Sequence, residues 1–432
     1  MIKFFKYNSS WLTVLLLSII PVIRWFFLFP LHIRFFDIYE AATSLGQIAG
    51  LVGMVLFSLN LILSSRLKIL DRYFFGLNNV YKYHSRIGSI SFCLLLLHPL
   101  FLAISYLQVS LIHAFKFLLP IGSLVITYGI VALWLMIILM ILTLYVRIKY
   151  HYWKLSHKFM VVVFIFAVLH TMMVSSDVSY DNFLRWYILG IAYIGLASGF
   201  YRAFLSRYWN TDLAYKVVAI RELNPQILEI ELSPKNKKLN FISGQFIFVR
   251  FFSQNLSSES HPFSLVSIPT EKNIKIIVKS LGDFTSQMQN IKVGDYATID
   301  GPFGRFSYKY LSSYRQIWLA GGIGITPFIS MARSLPVQSY QIDLYYCTKN
   351  NQEAVLLNEL LKISSINKSI RVISWCSDER GRISAEKTIV SENLAKTEVM
   401  LCGPDIFMRQ LRSQFITLGL KSRQIHWEQF KF

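Results

Sequence analysis

The fold is decided by the stretch HSRIGSISFCLLLLH, residues 84–98, read together with HKFMVVVFIFAVLH, residues 157–170. Each begins and ends on a histidine, with thirteen residues between His84 and His98 and twelve between His157 and His170. A helix rises about 1.5 Å per residue, so each pair spans roughly 20 Å, most of the ~30 Å hydrocarbon thickness of a bilayer. Coordinating side chains are costly at that depth and usually functional. Two helices carrying imidazoles at matched heights are suited to clamp two stacked haems, one near each face. The competing reading, four unrelated histidines hydrogen-bonded within a bundle, is weakened by the matching depth of two pairs.

At about 100° per residue, the step from His84 to His98 falls ~40° short of four turns, so both rings face one side. The step from His157 to His170 falls ~140° short. That second pair needs helix tilt, a tightened turn or differing rotamers to reach the same seam.

The surrounding composition agrees with a membrane location. Of 432 residues, 54% are hydrophobic, 15% aromatic and only 16% charged, and the apolar ones crowd the first half. Hydropathy predicts spans at 11–29, 44–63, 87–106, 121–145, 157–175 and 183–205. The run from Trp11 to Phe29 is long for a signal peptide and reads as a retained first helix. Lys3, Lys6, Arg66, Lys68, Arg72, Lys82, Arg147, Lys149, Lys154, Lys158, Arg202 and Arg207 fall on one side; Arg34 and Lys116 fall on the other. The positive-inside rule then predicts a six-pass plasma (inner) membrane protein with both termini cytoplasmic. His84 and His157 lie at the inner end, His98 and His170 at the outer.

The net charge of +20 is explained by these loops and by a phosphate-handling cytoplasmic part. No aromatic-basic module argues for nucleic acid. Cys93, Cys347, Cys376 and Cys402 form neither a CxxC nor a zinc spacing, which fits a reduced C-terminal half.

Beyond about residue 210 the pattern turns to short strands. Lys216–Ile220, Ile227–Leu232, Gln245–Phe251, Phe263–Ser267, Ile274–Lys279 and Tyr296–Ile299 predict a small antiparallel β-barrel. Gln316–Ala320, Ile342–Cys347, Ile370–Trp375 and Glu398–Cys402 alternate with helical segments and predict a parallel α/β Rossmann-like sheet. The predicted domains are residues 1–209, 210–311 and 312–432.

Three signals carry chemistry. His261-Pro262-Phe263-Ser264 offers an aromatic ring and a hydroxyl to a flavin, and Lys279-Ser280-Leu281-Gly282-Asp283-Phe284-Thr285 offers amides to pyrophosphate. Ala320-Gly321-Gly322-Ile323-Gly324-Ile325-Thr326-Pro327 joins a predicted strand to a helix, the setting of a dinucleotide loop. At the next strand Thr348 and Lys349 stand where an acidic ribose ligand would, a lean towards the 2′-phosphate of NADPH. Cys402-Gly403-Pro404-Asp405 ends a late strand at the ligand-binding edge of such a sheet, and the terminal Phe432 is placed to lie on an isoalloxazine.

Together these motifs, with the Gly-Pro-Phe-Gly turn at 301–304, resemble the ferric reductase and NADPH oxidase superfamily, most closely its compact bacterial members. The resemblance covers nearly the whole chain. It implies a six-helix di-haem transmembrane domain followed by FAD and NAD(P) domains of the ferredoxin reductase type. It implies inner haem ligands His84 and His157 and outer ones His98 and His170. His261, Pro262, Phe263, Ser264, Lys279, Gly282, Asp283 and Thr285 are implied at FAD; Gly322, Gly324, Thr326, Pro327, Lys349, Cys402 and Gly403 are implied at NADPH or NADH. Ser264, Cys402 and Phe432 are implied at the reacting rings. The implied cofactors are FAD, two haem b and NADPH.

The resemblance further implies an NAD(P)H oxidase passing electrons to external O2 and producing superoxide. The alternatives are a ferric or metal-chelate reductase and an electron-delivery subunit for an external protein. The expected partners are a small-molecule acceptor and the lipid bilayer, with no obligate protein partner.

Overall fold

The computed structural model describes residues 2–146, 148, 150–205, 213–254, 256–257, 259–389 and 394–428. It separates into two units, Met1–Arg207 and Tyr208–Phe432.

The first unit is helical: α1 (Ile2–Leu28), α2 (Ile38–Ser64), α3 (Leu77–Ser105), α4 (Leu124–Leu144), α5 (Tyr150–Lys158), α6 (Met160–Met173) and α7 (Asn182–Phe200). Together they supply six spans long and apolar enough to cross a bilayer, α5 and α6 sharing one. Helix starts follow from local chemistry. Asp37 accepts from the amides of Tyr39 and Glu40, Ser123 from Ile126 and Asp181 from Leu184, satisfying donors the helix itself cannot.

Two differences from the sequence reading bear on the histidines. The third span begins at Leu77, ten residues before the predicted 87, because hydropathy does not register the polar but helical turn holding His84. The fifth is broken at Phe159, whose amide donates to Ser156 O at 3.0 Å, an i−3 bond. That tightened turn is how His157 is re-aimed relative to His170.

α2 is the central element: 56% of its apolar window is buried, against 17–28% in the other spans. Gly46, Ala49, Gly50 and Gly53 let α3 approach closely, the small-residue packing on which helix association in lipid depends. Ser91 Oγ of α3 donates to Gly53 O of α2 at 2.9 Å.

The second unit holds two sheets. The first comprises β1 (Ala214–Asn224), β2 (Ile227–Pro234), β3 (Phe246–Phe252), β4 (His261–Ser264), β5 (Ile274–Lys279) and β6 (Tyr296–Phe303), in the order β4-β3-β6-β1-β2-β5. All its pairings are antiparallel. The expected barrel is not closed by a ladder; among the described residues the chain just after β4 meets β5 through the bridge Leu265–Ile276, the bond from Val266 N to Lys275 O and the bond from Lys275 N to Ser267 Oγ. Tyr215, Val217, Ile230, Val249 and Phe251 point inward and are fully buried.

The second sheet comprises β7 (Arg315–Gly321), β8 (Gln341–Thr348), β9 (Ile370–Cys376), β10 (Thr397–Cys402) and β11 (Ile425–Glu428), all parallel, in the order β11-β10-β7-β8-β9. β11 is absent from the sequence prediction, because four residues near an aromatic tail read as ordinary anchoring.

The two sheets share a core in which Ile227, Val266 and Ile277 pack with Trp318, Phe328 and Met331. Polar contacts reinforce it: Ser330 Oγ donates to Ser267 O at 2.7 Å, and Arg333 Nη1 to Val266 O at 3.1 Å.

Candidate cofactor sites

In the bundle, α3 carries His84 and His98, α5 ends beside His157 and α6 carries His170. His98 Nδ1 donates to Gly46 O at 2.8 Å, His170 Nδ1 to Val125 O at 2.8 Å and His84 Nδ1 to Asn60 O at 3.1 Å. A carbonyl only accepts, so Nδ1 carries the proton in each and Nε2 keeps its lone pair. A bond of this kind orients an imidazole ligand and raises its basicity.

Glycines make the seats. A Cβ on Gly50 would stand 2.7 Å from His98 Nδ1, and one on Gly129 3.0 Å from His170 Nδ1. Each glycine lies four residues after the carbonyl its histidine uses, so one missing side chain opens access to the helix backbone. Sequence reasoning missed both; the available signal was an isolated glycine in an apolar helix.

The geometry fits two haem irons. The rings of His84 and His157 have centroids 6.0 Å apart, room for two metal–nitrogen bonds of about 2 Å each. His98 and His170 both line a cavity of about 390 Å³, with Gly50, Gly129, Met54 and Met136 among its walls. Beside it Arg34 is buried, pairing with Asp177 at 2.9 Å and stacked over Trp25 at 3.7 Å.

In the soluble unit, β4 presents the flavin motif. Phe263 packs with Leu265 and Val249 in the core of this sheet. Strand alternation puts Pro262 and Ser264 on the opposite face. There Phe246, Phe248 and Phe303 form a buried aromatic cluster with centroids 5.7–6.1 Å apart. His261 stacks on Phe284 at 3.7 Å and lies 3.4 Å from Glu259.

Lys279 ends β5 opposite Ile227, and the turn after it leads into the short helix α8 (Asp283–Gln287). Thr285 Oγ1 already accepts from the amides of Leu281 and Gly282, at 2.9 and 3.0 Å. A phosphate there would have to replace that hydroxyl.

The glycines of the nucleotide loop divide their roles. Gly322 has φ +54° and nothing among the described residues within 4 Å of where a Cβ would be, so it faces open space. Gly324 instead meets backbone: its Cβ would stand 2.4 Å from Cys402 O. Gly403, at φ +156°, comes within 3.0 Å of Gly321 Cα by the same measure. Gly324 and Gly403 knit the ends of β7 and β10 together, and Gly322 is left to meet a ligand.

α9 (Thr326–Arg333) follows, with Pro327 in its first turn and Thr326 Oγ1 donating to Ile323 O at 3.1 Å. At the end of β8, Thr348 is buried with its hydroxyl unpartnered among the described residues, and Lys349 beside it is exposed. An orphaned hydroxyl at the carboxyl edge of a parallel sheet is what a bound nucleotide would satisfy.

Cys402 is buried; burial, and then the neighbouring Glu428, push its thiol well above the usual range. Glu428 is a residue the sequence reading missed. It is 3% exposed, sits opposite Cys402 in register, and lies 2.8 Å from where a Gly304 Cβ would be. Phe432 lies outside the described residues.

Three families match the chain in succession: "Ferric reductase like transmembrane component" over residues 49–168, "FAD-binding domain" over 213–306 and "Oxidoreductase NAD-binding domain" over 318–413. Among curated relatives, Flavohemoprotein A of Dictyostelium discoideum is 28% identical over 51% of the chain and 61% of its own length. The putative respiratory burst oxidase homolog protein G of Arabidopsis thaliana is 27% identical over 43% of the chain and 23% of its own length. The chain thus spans less than two thirds of either relative. In fold, a flavohemoglobin from Malassezia yamatoensis aligns over 90% of the chain and 98% of its own, at TM-score 0.52 and 17% identity.

Proposed function

Because the chain belongs to the ferric reductase and NADPH oxidase superfamily, we propose that this transmembrane FAD- and NAD-dependent oxidoreductase carries electrons through two haems to O2 on the far side, each electron reducing one O2 to superoxide. The observation that carries the reading is the pair of facing imidazole pairs, with three of the four rings anchored for ligation through Nε2. A flavin, when bound, would supply the chemistry that takes one hydride, two electrons, and gives them up singly, and the histidine pairs would hold the haem irons.

The chain's own residues define where this happens. Gly322 and Thr348 receive the nucleotide, and Lys349 meets a 2′-phosphate. Cys402 stays a neutral thiol, a small apolar wall against which the nicotinamide lies. Ser264 offers its hydroxyl at the flavin's reacting edge. Glu428 is buried opposite Cys402 and closes that side of the site.

At the bundle end nearer His98 and His170, Arg24 pairs with Asp181 and Arg34 with Asp177. These two guanidinium charges are paired with carboxylates, while Arg185 donates to Met172 O, and the pairing of the first two weakens that end's attraction for an anionic ferric chelate relative to O2. The test compares superoxide-dismutase-sensitive cytochrome c reduction with ferric chelate reduction by the purified chain. Dismutase-insensitive activity with brisk iron reduction would replace the oxidase with a metal reductase.

A further inference from the structure

Three of the bundle's imidazoles are held through Nδ1 by a neighbouring helix's carbonyl, at 2.8–3.1 Å. His157 is the exception. Its Nδ1 is buried and has no hydrogen-bond partner among the described residues. Its position is exceptional too: it lies at the end of α5, two residues before the break at Phe159. One helical turn earlier, Trp153 lays its indole almost parallel to the imidazole, with centroids 5.6 Å apart and planes at 11°. On its other side stands His84, at 6.0 Å and 72°.

The two modes of support differ physically. A hydrogen bond to the distal N–H fixes a ligand's direction and raises its basicity. Stacking fixes the plane of the ring and shields it from solvent, but leaves it free to slide and adds nothing to its donor strength. We propose that Trp153 is the positioning residue for His157, and that this stack is what keeps His157, the less firmly anchored of the two imidazoles that would hold its haem, in place. The proposal rests on the di-haem reading above. The other site has both ligands anchored by carbonyls and so serves as an internal reference in every sample.

The test uses the full chain in lipid nanodiscs, reduced with dithionite under carbon monoxide, with haem-to-protein ratio measured in parallel. In the parent chain nearly all haem stays six-coordinate and refuses CO. In Trp153→Ala the CO-binding fraction rises roughly tenfold, the lower end of the cost of losing a ligand's supporting contact, and saturates at one haem in two. Trp153→Phe, which keeps a flat ring, returns it towards the parent value. Loss of one haem in Trp153→Ala, restored in Trp153→Phe, supports the proposal equally. Unchanged CO binding in Trp153→Ala with both haems retained overturns it, and so does a Trp153→Phe protein indistinguishable from Trp153→Ala. Failure of the di-haem reading would show earlier and separately, as a parent chain lacking a six-coordinate haem spectrum.

Discussion

Gly50 and His98 occupy one seam between α2 and α3 with no room for another atom: a Cβ on Gly50 would lie 2.7 Å from the imidazole Nδ1 and 3.0 Å from Cε1. The same nitrogen is tied to Gly46 O, one turn earlier on α2. The ring therefore cannot swing away without breaking its anchor, and its anchor is what frees Nε2 to bind iron.

Gly50→Ala should accordingly cost the His98–His170 haem while leaving the other. Pyridine haemochrome assay should read close to one haem per chain instead of two, and Gly129→Ala should do the same through His170. Two haems with parental spectra in both variants would remove the glycine-seat argument.

The histidine pairs, the six spans and both sheets were legible in the sequence because apolar runs, strand alternation and glycine-rich turns are local signals. What was not legible depends on contact between distant segments. Gly50 and Gly129 look like any helix glycine until a ring from another helix is placed against them. Thr348 and Glu428 are ordinary residues until burial leaves them without water. Phe263 shows the same dependence: the motif fixes its order in the chain, but strand pairing decides which neighbours its ring packs against. The break at Phe159 settles by an i−3 hydrogen bond what helical angles alone had left open.

His98→Leu tests the division of labour between the units. It removes one imidazole that donates to Gly46 O but replaces it with a side chain at home in lipid, so the bundle should still insert. One haem should be lost, and reduction of external acceptors with it. Flavin reduction by NADPH, followed by stopped-flow absorbance, should stay within about twofold, because hydride transfer to the flavin precedes electron transfer to haem. Retention of both haems would contradict the ligand assignment.

Cys402 gives a pH prediction. Its thiol is raised by burial and by Glu428, whereas an unfolded cysteine ionises near pH ~8.5. The folded state therefore holds a proton that the unfolded state releases above that pH. The thiol's contribution to stability is complete below pH ~8.5 and declines as pH rises further. Alkylation of Cys402, tracked by mass spectrometry, should be slow at neutral pH and should keep climbing about tenfold per pH unit through pH ~9 without levelling, since the thiolate is the reactive form and only a small fraction of it is present below a raised pKa. A rate that levels off near pH ~8.5 would mean the thiol ionises normally.

Lys349 and Gly322 separate nucleotide charge from nucleotide shape. Lys349→Ala should raise KM for NADPH several-fold more than KM for NADH, because the lost partner is a phosphate that NADH lacks. Gly322→Val should raise both, since φ +54° disfavours a branched residue and the open space in front of it is filled. Steady-state kinetics with the two nucleotides decides each case, and equal KM changes in Lys349→Ala would dismiss the 2′-phosphate contact.

Gly244 joins the flavin sheet to the nucleotide half. Its φ is +96°, and a Cβ would fall 2.0 Å from Phe306 O and 3.0 Å from Met331 Sδ, a residue of α9. Backbone oxygen cannot yield as a flexible side chain does, and a non-glycine residue held at such an angle costs of order 1–3 kcal/mol before the collision is counted. Gly244→Ala should therefore loosen the core shared by Phe306, Phe328 and Met331. A loss of about 3 kcal/mol corresponds to roughly 6–12 °C in a unit of this size, measured as the temperature at which flavin fluorescence is released. The haem spectrum of the bundle should be unmoved at those temperatures. An unchanged flavin-release temperature would show that the loop around Gly244 adjusts freely and that the two sheets are not held together there.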